Sequence, residues 1–171
     1  ALVAWQYGWS LIPLGGLLFT AMLIALTFID ADTQYLPDQI TLPLVWLGLL
    51  FNLNGAFVPL SSAVLGAVCG YMSLWLLCYV YKLLTGKVGM GGGDFKLLAA
   101  LGAWLGVGVL PVIVFIAALI GVLAAVLLRV AKGQQFAFGP SLAVAGWLVF
   151  IANEKVLAAL GWWLRASGFS A

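Results

Sequence analysis

The sequence predicts an all-α, polytopic transmembrane bundle of about six helices, folded as a single domain over residues 1–171. Composition comes first. Hydrophobic residues make up 65% of the chain and charged residues 7%, against about a quarter charged in an ordinary water-soluble domain. Such a chain cannot cover itself with hydrated groups, so lipid is its solvent and membrane lipid its surrounding partner. The second observation is that the mean hydropathy of +1.21 is concentrated in six apolar runs. The third is that the breaks between those runs carry turn and helix-start residues.

Taken in order, residues 1–10 (ALVAWQYGWS) read as an interfacial stretch or the tail of a preceding segment, with Trp5, Tyr7 and Trp9 as anchors. The opening lacks a charged n-region, so no signal peptide is expected in it. The apolar runs are Leu11–Ile29, Thr41–Leu53, Ser61–Leu84, Phe95–Val109, Pro111–Val130 and Pro140–Ala152, the last resuming over Val156–Leu164. The first, third and fifth have the roughly 20 residues that cross a bilayer core. The second and fourth are shorter, and are expected to tilt, thin the bilayer or sit partly inside the protein. Asn52-Leu53-Asn54-Gly55 is a turn signal. Thr41 is the expected N-cap of the second helix, because Pro43 then falls in the first turn and loses no hydrogen bond. Pro111 and Pro140 open the fifth and sixth helices in the same way.

Basic residues set the orientation. Lys82, Lys87 and Lys96 flank the third connection, and Arg129 and Lys132 lie in the fifth. The second and fourth connections carry none, so the basic side is expected to be cytoplasmic.

Several chemistries are excluded by residue type. The chain has no histidine, which removes histidine-based triads and zinc sites, and no metal is expected. Cys69 and Cys78 fall on opposite faces of one helix and read as packing residues. A net charge of +2 without a basic run gives no footing for nucleic acid.

The acids are the informative residues. Asp30, Asp32 and Asp38 lie between the first two runs, and Asp94 stands at the start of the fourth, after Gly91-Gly92-Gly93. Topology therefore brings Asp30 and Asp94 to one membrane face, where carboxylates are costly and mark function. The glycines do not fit a phosphate loop: Lys87 is followed by Val88, and Asp94 stands where G-x-G-x-x-G needs glycine. Their remaining use is to let an extended peptide approach beside Asp94. The plain structural alternative is that Asp94 N-caps its helix.

A carboxyl pair without histidine points to aspartic-protease chemistry. One carboxylate takes a proton from the attacking water while its protonated partner donates to the scissile carbonyl. Asp94 at a helix N-terminus is expected to ionise more readily than Asp30 at a helix C-terminus. The rival reading is a proton-coupled membrane transporter using the paired aspartates. A transporter calls for polar groups near mid-membrane, which the third and fifth runs almost lack.

With these residues in view, the chain resembles bacterial type IV prepilin peptidases, members of the G-x-G-D intramembrane aspartic proteases. GGGD (Gly91–Asp94), DADTQYLPDQITLP (Asp30–Pro43), GMGGGDFKLLAALGAWLG and FGPSLAVAGW carry the resemblance, over about Leu11 to Trp163. The presenilin and signal-peptide-peptidase branch fits less well, since Ile29 and not tyrosine precedes Asp30. The resemblance implies a catalytic pair of Asp30 and Asp94. It implies substrates that are prepilin or pseudopilin leaders, cut after a glycine at the cytoplasmic face of the bacterial inner membrane. The family's N-terminal cysteine-rich cytoplasmic domain has no counterpart in this chain, which resembles the C-terminal peptidase part. Methylation with S-adenosylmethionine is implied for the full-length protein only. Asp32 and Asp38 are candidate contacts for the basic leader, Gly91, Gly92 and Gly93 for the extended peptide, and Lys96 for an acidic residue of the substrate helix.

Overall fold

A computed structural model of the protein describes residues 11–86, 91–127 and 138–152. These residues form six α-helices and no strand. They are α1 (Leu11–Thr33), α2 (Asp38–Phe51), α3 (Leu60–Thr85), α4 (Gly92–Leu105), α5 (Leu110–Leu127) and α6 (Gly139–Ile151). The interfacial stretch at residues 1–10, the loop cations Lys87, Arg129 and Lys132, and the resumed helix over 156–164 lie outside the described residues.

Three segments are long and apolar enough to cross a membrane: Pro13–Thr33, Leu60–Thr85 and Val107–Leu127. Only 22–33% of each is buried within the protein, so most of their apolar surface is left for lipid. Leu84 and Leu127, at 81% and 78% exposure, belong to that face. α4 is different in kind. It has 14 residues, short of a full crossing, and its side chains are buried from Asp94 to Leu105 apart from Lys96. It is a central pillar enclosed by α2, α3 and α6.

Hydrophobic burial drives helix association weakly when the solvent is itself apolar; close backbone approach and hydrogen bonds take its place. Both occur around α4. Gly66 and Gly70 of α3 face Gly102 and Leu98 of α4 so closely that an added Cβ would strike the opposite backbone. On the α2 side, Gly48 makes room for the indole of Trp104, whose Nε1 donates to the Leu44 carbonyl at 2.8 Å. Trp104 is fully buried among Phe19, Phe51 and Phe57, with ring centroids 4.9–5.5 Å away.

Asn52 locks the end of the pillar. Its Nδ2 donates to the Ala103 carbonyl at 2.9 Å, and its Oδ1 accepts from the backbone N–H groups of Phe57 and Val58 at 2.9 and 3.0 Å. One buried side chain thus satisfies an orphan carbonyl of a helix C-terminus and closes the following loop.

Two boundaries differ from those the sequence predicts. α1 runs one turn past Ile29, because Thr33 folds its hydroxyl onto the Ile29 carbonyl at 2.7 Å and keeps the polar Asp30–Thr33 turn helical. α2 begins at Asp38 and not at Thr41, with Pro37 as N-cap and Pro43 inside the helix. Thr41 is buried and folded back on Pro37, whose carbonyl accepts both its N–H and its hydroxyl. The bond that Pro43 cannot make would have gone to Gln39, which is exposed and free to bond water.

Candidate active site

Three helix ends meet at one point: the C-terminal end of α1, the N-terminal end of α4 and the N-terminal end of α6. Asp30 lies in the last turn of α1 and is 4% exposed; Asp94 lies in the first turn of α4 and is 7% exposed. Their carboxyls are close enough for the charge of Asp30 to act on Asp94. Asp94 does not cap its helix. Gly91 is the N-cap, and no side-chain cap bond forms.

Burial foremost, and the Asp30 carboxyl beside it, push Asp94 up to about 7 from 3.8. Desolvation therefore outweighs the helix-end preference for a charged Asp94. Two buried carboxyls this close cannot both ionise readily, which favours one shared proton.

Asp30 is held from α6. The Gly139 backbone lies against its carboxyl, and a Cβ on Gly139 would overlap Oδ2. That oxygen is buried and has no hydrogen-bond partner among the described residues. A buried carboxylate oxygen without a partner is costly, and a water or peptide group brought to the site would satisfy it.

The glycines before Asp94 divide into two kinds. Among the described residues, a Cβ on Gly91 or Gly92 would meet nothing within 4 Å, whereas one on Gly93 would lie 2.7 Å from Cβ of Leu36. Gly91 and Gly92 thus have no described residue packed on them, and Gly93 is packed. Asp32 is exposed on the last turn of α1, away from the buried pair. Asp38 and Lys96 form an ion pair with each other, their side chains 49% and 29% exposed. A substrate charge at either residue would therefore compete with the partner already present.

Gly139 and Leu36 are site residues that composition and charge do not reveal. Both fall in stretches singled out by the resemblance, FGPS and YLPD, but there they read as a helix start and part of an acidic loop. Their role depends on which helix ends meet.

The type IV leader peptidase family matches this chain over residues 17–126. The prepilin leader peptidase/N-methyltransferase of Neisseria gonorrhoeae is 72% identical over 163 residues, covering 95% of this chain and 57% of the relative. The protein of the same name from Aeromonas hydrophila is 52% identical over 153 residues, covering 87% and 52%. That from Pseudomonas putida is 51% identical over 160 residues, covering 91% and 56%. The chain spans about half the length of these curated relatives. No solved structure matches it.

S-adenosylmethionine, the methyl donor that such names imply, has charged and polar ends that need polar partners. Leu23, Ile24, Val144 and Trp147 line one hollow of about 230 Å³. A second, of about 370 Å³, lies between α2, α3 and α4, and Lys96 is its single charged lining residue. Among the described residues, neither lining offers the acidic and polar groups that cofactor needs.

Proposed function

This chain belongs to the type IV leader peptidase family, and from that premise we propose that it carries the aspartic endopeptidase site that removes leaders from type IV prepilins or pseudopilins. The observation that carries this reading is the pair of buried carboxyls, Asp30 and Asp94, with one oxygen of Asp30 unpartnered among the described residues. The substrate peptide enters over Gly91 and Gly92. A water between the carboxyls loses its proton to the ionised member and attacks the scissile carbonyl. The protonated member donates to the carbonyl oxygen, and collapse of the tetrahedral intermediate passes a proton to the leaving amine. The site faces the cytoplasm, at the bacterial inner membrane, as the distribution of lysines and arginines in the sequence favours. Methyl transfer, where present, belongs to the full-length protein.

The test is cleavage of a prepilin by the purified protein in lipid vesicles. One bond is cut, and the rate falls as pH rises through about 7. The sign follows from Asp94: its proton, held up to about 7, is lost above that pH, and the pair then has no donor. Proton flux without cleavage, or a rate that climbs steadily to pH 9, contradicts the proposal.

Gly139→Ala offers a narrower test. The new methyl overlaps Oδ2 of Asp30 and moves the carboxyl, so cleavage falls by about 10²-fold, the usual effect of misplacing a catalytic group by an ångström. The rest of α6 can still pack, so the folded yield in detergent stays near that of wild type. Wild-type cleavage in this variant would show that Gly139 does not hold Asp30.

A further inference from the structure

Leu36 belongs to the short connection between α1 and α2. Its preceding neighbours Gln34 and Tyr35 are exposed, yet Leu36 is 4% exposed. Its side chain is wedged between two glycines of the site. Cβ lies 2.7 Å from the Cβ position of Gly93, and Cδ1 lies 3.1 Å from that of Gly139. One side chain therefore reaches from the residue before Asp94 to the residue lying on Asp30.

The backbone that carries Leu36 is pinned at both ends. Upstream, Gln34 N–H donates to the Asp30 carbonyl at 2.9 Å, and Tyr35 N–H donates to the Thr33 hydroxyl at 3.3 Å. Downstream, the ring of Pro37 fixes its φ at −70°, and its carbonyl accepts from Ile40 and Thr41. Among the described residues, Gly91 and Gly92 are not packed upon, and the side closed by a side chain is that of Leu36.

We propose that Leu36 is a specificity-determining residue, a fixed wall beside the two carboxyls that admits only glycine or a similarly small residue as the one whose carbonyl is attacked. The inference rests on the peptidase reading above. An attacked carbonyl must lie within reach of both carboxyls, so the Cα of its own residue comes closest to the wall. A side chain there meets Leu36, which two glycine backbones and a proline-bound loop prevent from retreating. Truncating Leu36 to alanine frees the space of a small branched side chain.

The experiment uses one prepilin in three versions, with glycine, alanine or valine at the residue contributing the scissile carbonyl. Each is offered to wild type, Leu36→Ala and Leu36→Val. Wild type cuts the glycine version and discriminates against alanine. In Leu36→Ala the glycine-to-alanine ratio of kcat/KM falls by about tenfold or more, the range expected for one methyl group against a packed wall. Leu36→Val falls between. An unchanged ratio in both variants overturns the inference. So does an equal acceleration of all three versions, which would make Leu36 a movable plug. Should Leu36→Ala fail to fold, the ratio in Leu36→Val decides. Failure of wild type to cut any version overturns the peptidase reading itself, and is told apart from the other outcomes by that.

Discussion

Asp30→Asn and Asp94→Asn each lower leader cleavage by about 10⁴-fold or more, the combined worth of losing general acid–base catalysis at a site that works as a unit. Asparagine keeps the shape of the carboxyl but can neither accept the proton of the attacking water nor return it. With both residues serving the same step, as proposed, the double variant is no slower than either single one. Stability moves the other way. Each substitution removes an ionisable group from a buried pair of like charge, so thermal unfolding in detergent stays at the wild-type temperature or rises. Cleavage rates measured beside unfolding temperatures separate this from a folding defect. Appreciable cleavage by either single variant would remove that residue from the catalytic pair.

Gly102→Ala has the largest expected effect on the fold. The helices α3 and α4 touch backbone to backbone where Gly66 meets Gly102, and a methyl on Gly102 would occupy the position of the Gly66 carbonyl. No side chain is available to move aside. The helices must separate, which opens the packing around Trp104 and shifts the helix that carries Asp94. The expected cost is about 3 kcal/mol or more, at the upper end for overpacking, with loss of folded protein on size exclusion. Gly108→Ala is the control: among the described residues a Cβ there meets nothing within 4 Å, so its unfolding temperature stays close to wild type. Equal stability of the two variants would show that the α3–α4 contact is looser than described.

The long spans were legible because hydropathy alone marks a lipid-facing helix, and three of the apolar runs have the length to cross. The dyad was legible as two carboxylates that topology places on one face. Less was legible where a residue's role depends on its neighbours in space. The short fourth run left three outcomes open, tilt, a thinned bilayer or a place inside the protein, because enclosure by protein and enclosure by lipid favour the same apolar side chains; α4 takes the last. The extra turn of α1 is hidden because Asp30, Asp32 and Thr33 interrupt the apolar run, although Thr33 satisfies its own hydroxyl within the helix. Asp38 and Lys96 each read as a group awaiting a substrate charge, being 58 residues apart in sequence; in the fold they pair. Leu36 did leave a signal, an apolar residue in a polar loop, but its meaning required Gly93 and Gly139 to be brought beside it.

The claim beneath this account is that two carboxyls on separate helices share one desolvated site. Titration of Asp94 by carbon-13 NMR, with aspartate labelled at the carboxyl, measures it most directly when wild type is compared with Asp30→Asn. In wild type Asp94 titrates at about 7. Without the Asp30 charge its pKa falls, yet stays above the ordinary value of 3.8 because burial remains. An Asp94 that titrates identically in the two proteins, or near 3.8 in wild type, would contradict the dyad.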